Sequence, residues 1–271
     1  MTGQSSVESS VPAPALCPPS ASESLGGVSS GALWRAPLPN LRRRAALRRV
    51  VRSTLLLGRP VIRELHDPEY ALAGDPVIFA LNHTTKLEAL IVPALLMALR
   101  GGRPVHFLAD WNFLLVPGIA TVFRIAEVIP VNRKPARPAF LNRFRARLCP
   151  DRPAHELARE RLAAGAAVGI FPEGTATGLP DRLLTGHRGA AQLSLETGVP
   201  LLPVGIRHSV APGRRRVGNL APMSLHFGRP LVPPPGGRVP DRREIADWHA
   251  QLMGALALLA AKRWQRPSTK T

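Results

Sequence analysis

Short apolar runs alternate with helical patterns along this chain beyond residue 75, and this alternation limits the possible folds more than any other feature. Strands interleaved with helices are typical of βα units, in which each helix returns the chain so that successive strands pair in parallel. The sequence therefore predicts an α/β fold with a mostly parallel central sheet flanked by helices. The predicted strands are Val77–Leu81, Val105–Leu108, Glu127–Val131, Ala167–Phe171, Leu201–Ile206 and Ser224–Phe227. The predicted helices are Glu88–Leu99, Ala154–Ala164, Arg188–Glu196 and Arg242–Lys262.

The N-terminal part of the chain differs in composition. Residues 1–38 are rich in Ser, Pro and Gly and show no hydrophobic period, so we expect a disordered tail. Residues 41–57 then show a helical pattern. One side of this predicted helix carries Leu47, Val50, Val51, Thr54 and Leu57, and the other carries Arg42, Arg44, Arg48, Arg49 and Arg52.

A basic amphipathic helix of this kind suits the surface of an anionic membrane, where each Arg can contribute about 1 kcal/mol. A helix that packs on its own domain and exposes its Arg side to water would show the same pattern. We therefore predict that the segment 39–74 is helical and contacts a membrane, with packing on its own domain as the alternative.

The formal net charge of +18 predicts attraction to anionic membranes, nucleic acids or acidic carrier proteins. No nucleic-acid-binding motif appears, so no nucleic acid partner is expected. No apolar run approaches the roughly 20 residues that span a bilayer, and no secretory signal pattern is present. The two cysteines, Cys17 and Cys149, do not form a disulfide framework. These features favour a peripheral protein on the cytoplasmic side of the cell membrane.

Polar motifs follow two of the predicted strands. The first, Asn-His-Thr-Thr-Lys-Leu-Glu, contains His83 and Glu88, and the second, Phe-Pro-Glu-Gly-Thr, contains Gly174. Ligands of open α/β sheets bind beyond the carboxyl ends of the strands, so both motifs are predicted to form one site. A histidine is a natural base near neutral pH, a carboxylate can orient it, and a glycine lets backbone N–H groups approach an anion. Together these residues predict the transfer of a group to a hydroxyl.

These motifs resemble those of the glycerol-phosphate and lysophosphatidate acyltransferase family. The family carries Asn-His-x-x-x-x-Asp, a strand ending in Arg, Phe-Pro-Glu-Gly-Thr-Arg and Val-Pro-x-x-Pro-Val. The corresponding segments, in the same order, are 82–88, 127–133, 171–176 and 199–204. Two positions depart from the pattern, because Glu88 stands in place of Asp and Ala176 in place of Arg.

The resemblance implies an acyltransferase domain over residues 75–265. It implies the transfer of an acyl group from acyl-CoA or an acyl carrier protein to a hydroxyl of a lysophospholipid-like acceptor, in phospholipid biosynthesis. No cofactor is expected beyond this acyl donor. The implied catalytic residues are His83 as base and Glu88 as its partner, and the implied acceptor-binding residues are Arg133, Glu173, Gly174, Thr175 and Arg188.

Other interpretations of these residues stay open. Thr85 and Glu88 have the spacing of a helix capping box, His83 could be a buried core histidine, and Gly174 could only form a tight turn. Ala176 favours an acceptor without a phosphate, such as a glycolipid or a specialised metabolite. Glu88 in place of Asp favours a non-catalytic membrane-surface protein. No serine-hydrolase elbow, metal-binding pair or phosphate-binding loop appears in the sequence.

Overall fold

A computed structural model of the 271-residue chain describes residues 35–72, 74–211, 213–234 and 239–266. The predicted tail, residues 1–38, lies outside the described residues apart from its last four positions. Within the described ranges, seven strands form one sheet. These strands are β1 (Ile62–His66), β2 (Ile78–Leu81), β3 (Val105–Asp110), β4 (Ile129–Val131), β5 (Ala167–Ile170), β6 (Leu201–His208) and β7 (Met223–Phe227).

The strands lie in the order β1-β7-β6-β2-β5-β3-β4. All neighbouring pairs are parallel except β6 and β7, which are antiparallel. The predicted α/β class with a mostly parallel sheet is confirmed. The described α-helices are α1 (Ala45–Gly58), α2 (Glu88–Leu99), α3 (Ile119–Ile125), α4 (Arg145–Leu148), α5 (Ala154–Ala163), α6 (Gly189–Thr197) and α7 (Arg242–Ala260). None of them is both long and apolar enough to cross a membrane.

The hydrophobic core lies on both faces of the sheet. On β2, Phe79 and Leu81 pack into a cluster with α1 and α2, whereas Ile78 and Ala80 pack into a second cluster with α5, α6 and α7. Successive side chains of a strand point to opposite faces, so a strand covered on both faces must be apolar at every position. This explains the uninterrupted apolar run that predicted β2.

Three of these strands and α-helices were not predicted from the sequence, namely β1, α3 and the short α4. In β1, Ile62 and Leu65 are buried and the two residues between them are exposed, so the strand lacks the alternation by which strands are recognised. The cause is an irregularity in its pairing with β7, where the register shifts between these two residues.

The segment 39–74 is continuous with the rest of the domain. Leu47, Val51 and Leu55 on the apolar side of α1 are fully buried and pack with α2 in the same core cluster. Further along, β1 pairs with β7 in the central sheet. The structure thus shows no domain boundary at residue 74. The buried side of α1 packs on its own domain, as the alternative interpretation of this helix expected.

Sheet order brings together three chain segments that are distant in sequence. β2 lies between β5 and β6, and all three strands run in the same direction. The residues at or just beyond their carboxyl ends, 82–85, 171–175 and 207–209, therefore lie side by side at one edge of the sheet.

Candidate active site

Asn82 fixes the point at which the chain leaves β2. Its side chain is fully buried, and Nδ2 donates to the carbonyl of Ile206 at 3.0 Å while Oδ1 accepts from the Ile206 N–H at 2.6 Å. The side-chain amide of Asn82 thus pairs with the backbone of β6 in the way that a residue of a neighbouring strand would. His83 follows directly, so its backbone is held at the end of the sheet.

His83 lies against the carboxylate of Glu88. Nδ1 of His83 is 3.0 Å from Oε2 of Glu88, and the two side chains are 12% and 0% exposed. The imidazole also stacks on Phe171 with 4.4 Å between ring centroids, which fixes the plane of the ring. Because Nδ1 donates to Glu88, Nε2 is the nitrogen left to take a proton from a substrate.

Glu88 also closes the turn that precedes α2. Its carboxylate accepts the N–H of Thr84 at 2.7 Å and the N–H of Thr85 at 3.0 Å. The second bond is the one predicted from the capping-box spacing. Both bonds coexist with the bond to His83, so the two interpretations of Glu88 are not alternatives. The closed turn is what holds the carboxylate beside the imidazole.

Hydrogen bonds determine the charge state of Glu88. Burial raises the pKa of this carboxyl group, because it disfavours the charged form. The hydrogen bonds from His208 and His83 outweigh burial and leave the pKa of Glu88 below its ordinary value. Glu88 is therefore ionised at neutral pH and can stabilise a positive charge that forms on His83.

Glu173 holds the backbone of the site. Its carboxylate is buried, with Oε1 accepting the His83 N–H at 2.8 Å and Oε2 accepting the Leu184 N–H at 2.9 Å. Burial raises the pKa of Glu173, and these bonds oppose the rise. Glu173 does not line the cavity beside His83. Each of its oxygens already accepts a backbone N–H, and the predicted role of Glu173 in binding the acceptor stays a prediction.

Gly174 and Thr175 are exposed at the same edge of the sheet and line the cavity beside His83. Gly174 has a φ of +64°, and a Cβ at this position would lie 2.9 Å from Cδ2 of His187. Both the backbone angle and the close ring require glycine here. His187, which was not among the predicted site residues, also lines the cavity. Its pKa is lowered by burial and then by the positive charges of Arg133 and Lys134.

The cavity itself has a volume of about 610 Å³ and is mostly apolar. One part of its wall comes from α1, α2, β3 and α3, and another comes from the segment that follows β5. His83, the predicted base, is also among the lining residues. The apolar wall includes Leu47, Val51, Pro93, Met97, Phe107 and Phe123.

Cationic side chains also line this cavity. Arg133, Lys134 and Lys86 are among its lining residues, and Nζ of Lys134 donates to the carbonyl of Gly174 at 3.3 Å. Arg188 immediately precedes α6, is exposed and does not line the cavity. The structure thus places Arg133 at the same cavity as His83. Arg188 lies between His187 and Gly189, which do line the cavity, and its role in binding the acceptor stays a prediction.

Two further buried polar residues belong to this site and were not predicted. His208, the last residue of β6, places Nε2 2.6 Å from Oε1 of Glu88. Lys262, which follows α7, donates to Oγ1 of Thr84 at 2.7 Å. The sequence did contain a signal for His208, because it stands two residues beyond a predicted strand end, as His83 does. Lys262 follows a helix, and no pattern distinguishes it from other basic residues.

Comparison with known proteins identifies the family. A family model described as Acyltransferase matches residues 62–207, which is more than half of the chain. The chain belongs to the acyltransferase family. The resemblance seen in the sequence motifs is thereby confirmed. No curated protein matches this acyltransferase at a significant level of sequence similarity.

Among solved structures, this acyltransferase is similar to the crystal structure of the 1-acyl-sn-glycerophosphate (LPA) acyltransferase PlsC from Thermotoga maritima. The TM-score is 0.54 at 18% sequence identity, and the match covers 87% of this chain and 88% of that chain. At such an identity the likeness shows the fold. It extends over most of both chains, so the two proteins share the α/β architecture described above.

Both departures from the family pattern lie inside the site of this acyltransferase. Glu88 is one methylene longer than the Asp of the family, and it still reaches His83 at 3.0 Å. Ala176 lines the cavity and provides no cation there. In the described ranges, no group of three or more His, Cys, Asp or Glu side chains is arranged to hold a metal ion.

Proposed function

We propose that this acyltransferase moves an acyl group from acyl-CoA or an acyl carrier protein to a hydroxyl of a lysophospholipid-like acceptor, of the 1-acylglycerol-3-phosphate type. The observation that carries the proposal is the pairing of His83 with a buried, ionised Glu88 at the wall of an apolar cavity. A base beside an apolar cavity suits a reaction in which a hydroxyl meets a fatty acyl thioester.

The proposed reaction begins at Nε2 of His83. This nitrogen takes the proton from the acceptor hydroxyl while the hydroxyl oxygen attacks the thioester carbonyl carbon. A tetrahedral intermediate forms and then collapses, which breaks the carbon–sulfur bond and releases the thiol as the proton passes from His83 to sulfur. Glu88 stabilises the imidazolium between these two steps and keeps Nδ1 protonated throughout.

Positive charge at the cavity supports an acceptor with a phosphate. Arg133, Lys134 and Lys86 line the wall, and an Arg can hold a phosphate with two parallel hydrogen bonds. These residues compensate for the missing cation at Ala176. The product would then be a phosphatidate-type lipid, which places the reaction in phospholipid biosynthesis.

Ala176 is also the observation that favours a second candidate function. An alanine at this point of the cavity wall leaves space without a phosphate ligand. A glycolipid or specialised metabolite with a free hydroxyl would fit such a wall, and the same base would serve it. The chemistry at His83 is identical for both candidates, so only the choice of acceptor separates them.

The exposed side of α1 supports a peripheral location on the cytoplasmic side of the cell membrane. Arg48 and Arg49 are exposed there, and Leu56 and Leu57 at the end of the helix are 66% and 79% exposed. Exposed cations beside exposed leucines suit the surface of an anionic membrane. The apolar cavity, which α1 helps to line, would then receive its lipid substrates from that surface.

The acceptor can be identified by measuring thiol release from a long-chain acyl-CoA in the presence of lysophosphatidate, of monoacylglycerol or of no acceptor. We expect release that requires an acceptor and is faster with lysophosphatidate, and an acyl carrier protein thioester can replace acyl-CoA as donor. A preference for monoacylglycerol would support the acceptor without a phosphate. No acceptor-dependent release from either donor would contradict the proposed function.

Arg133→Ala and Arg188→Ala form a matched pair in this assay. Arg133 lines the cavity and Arg188 does not, although both are exposed arginines. We expect Arg133→Ala to raise the KM for lysophosphatidate and to leave the KM for monoacylglycerol unchanged, because only the phosphate loses a ligand. Arg188→Ala should match the wild type. Equal effects of both changes would argue against a phosphate site at Arg133.

A further inference from the structure

A second histidine contacts the carboxylate that orients His83. His208 is 3% exposed, and its two ring nitrogens both face acceptors. Nε2 lies 2.6 Å from Oε1 of Glu88, and Nδ1 lies 3.2 Å from the carbonyl oxygen of Ala221. A carbonyl oxygen can only accept, so Nδ1 carries a proton. Nε2 faces an ionised carboxylate, so it donates as well.

The contacts of Glu88 divide evenly between its two oxygens. Oε2 accepts from the N–H of Thr84 and from Nδ1 of His83, whereas Oε1 accepts from the N–H of Thr85 and from Nε2 of His208. The two backbone donors fix where the carboxylate lies. The two histidines, also on opposite oxygens, add to the control of its rotation and therefore of the direction in which Oε2 faces His83.

We propose that His208 is a positioning residue of the acyltransferase reaction, which holds Glu88 in the rotation that serves His83 and balances its charge. This inference rests on the proposed function of His83 as the base. His208 does not line the cavity. It acts through Glu88, and the site is a His83–Glu88–His208 arrangement.

A buried cation lies close to this arrangement. Glu88 and Glu173 are both buried, and both attract Lys262. Burial lowers the pKa of Lys262. Buried charges are tolerated when they are paired, and the hydrogen bond from His208 pairs the charge of Glu88 directly.

The kinetic test uses His208→Phe, which removes both donors, and His208→Gln, whose side-chain amide can still donate one hydrogen bond to Glu88. The matched control is His226→Phe on the neighbouring strand β7, because His226 stacks on His66 at 4.1 Å and has no contact with Glu88. We expect His208→Phe to lower kcat by about 10- to 100-fold, with KM values within about two-fold of the wild type. His208→Gln should retain more activity, and His226→Phe should keep the wild-type rate.

A structural readout is independent of the reaction. In protein labelled with ¹⁵N-histidine, long-range ¹H–¹⁵N spectra distinguish protonated from bare ring nitrogens, and the signals of His208 are those lost in His208→Gln. We expect both nitrogens of His208 to carry protons at neutral pH. We also expect the Nδ1–H signal of His83 to persist in the wild type and to weaken in His208→Phe, because Glu88 then keeps three donors instead of four and is held less rigidly.

The two readouts separate the possible failures. If the wild type shows no thiol release, the proposed function fails, and the spectra still decide whether His208 holds Glu88. A bare Nε2 on His208, or a folded His208→Phe with wild-type kcat, would overturn the proposal. If His208→Phe does not fold, His208→Gln and the wild-type spectra decide the question alone.

Discussion

Glu88 determines more of the site geometry than any other single residue, because four donors converge on its two oxygens. The backbone of Thr84 and Thr85 supplies two of these donors, and His83 and His208 supply the others. Every lone pair of the carboxylate is used while the side chain is completely buried. We therefore expect a change at this residue to affect both the fold of the loop and the proposed reaction.

Replacing Glu88 by Gln tests this double role. The amide group must turn its NH₂ toward one pair of donors, so one histidine and one backbone N–H lose their acceptor. Each buried group left unpaired costs about 1 to 3 kcal/mol, so the free energy of unfolding should fall. The rate should fall as well, because no negative charge remains to stabilise the imidazolium.

Denaturant unfolding and thiol release, measured on the same Glu88→Gln preparation, check both expectations. Glu88→Asp is the control, because it keeps the charge found at this position in the family, and it should retain more activity than Gln. A Gln variant with wild-type stability and rate would contradict the double role of Glu88.

Gly174 is the second residue whose identity the geometry explains. Its φ is +64° and a Cβ would meet His187 at 2.9 Å, whereas at Gly254 within α7 a Cβ would meet nothing within 4 Å. We expect Gly174→Ala to lower the free energy of unfolding by about 1 to 2 kcal/mol. Gly254→Ala should raise it by about 0.5 to 1 kcal/mol, because alanine favours a helix. Thermal unfolding of both variants checks the pair, and a stable Gly174→Ala would argue against the described turn.

At the scale of elements, α1 has a buried side and an exposed side with different roles. An ion pair between Arg44 and Glu127 holds its N-terminal end in place. Glu127 also forms an ion pair with Arg161 at 3.2 Å. The buried side completes the core above β2 and lines the cavity. The helix is therefore part of the acyltransferase domain. Only the residues on its exposed side are accessible for contact with a membrane.

Leu55→Ala and Leu57→Ala separate these two sides, since Leu55 is 0% and Leu57 is 79% exposed. Leu55→Ala should lower the free energy of unfolding by about 2 to 5 kcal/mol, because it leaves a cavity in the core. Leu57→Ala should change stability by less than about 0.5 kcal/mol and weaken sedimentation with anionic vesicles. If the two variants are equally stable, α1 does not pack as described.

The amphipathic pattern of α1 illustrates what a sequence can and cannot predict about an element. The helix itself was predicted, because leucines and valines recur at helical spacing. The sequence did not predict what covers the apolar side of this helix, because a membrane and a domain core both favour apolar residues there. In the same way, β2 was predicted from its apolar run, whereas β1 was missed because an irregular register removed its alternation.

At the scale of the whole molecule, the order of strands decides which residues meet. His83, Glu173 and His208 lie at the ends of three neighbouring parallel strands, although up to 125 positions separate them in the sequence. The sequence could predict that the first two share a site, because both follow strand ends in family motifs. It could not predict the contact between His208 and Glu88, which depends on β6 lying next to β2.

Buried histidines make the stability of the whole fold sensitive to pH. Burial lowers the pKa of His106 and of His226 to about 4, so both stay neutral in the folded protein. In the unfolded chain a histidine takes up a proton below about pH 6.5, so the unfolded state binds more protons between these values. Stability is therefore fully present above about pH 6.5 and is lost as the pH falls toward 4, with a slope of up to about 1.4 kcal/mol per pH unit for each histidine.

Urea unfolding at a series of pH values between 7 and 4 measures this slope. His106→Gln and His226→Gln should each flatten it, since each removes one group that titrates only in the unfolded chain. A variant that keeps the wild-type slope would show that its histidine does not stay neutral in the fold.

The central claim is that His83 is the base of an acyl transfer, and the most direct measurement is the kcat of His83→Ala for thiol release from acyl-CoA with lysophosphatidate. We expect a loss of about 10²- to 10⁴-fold, as is typical of general-base catalysis, at an unchanged melting temperature. The melting temperature should hold because Glu88 keeps its two backbone donors and His208. A folded His83→Ala protein that retains more than about a tenth of the wild-type rate would contradict the claim.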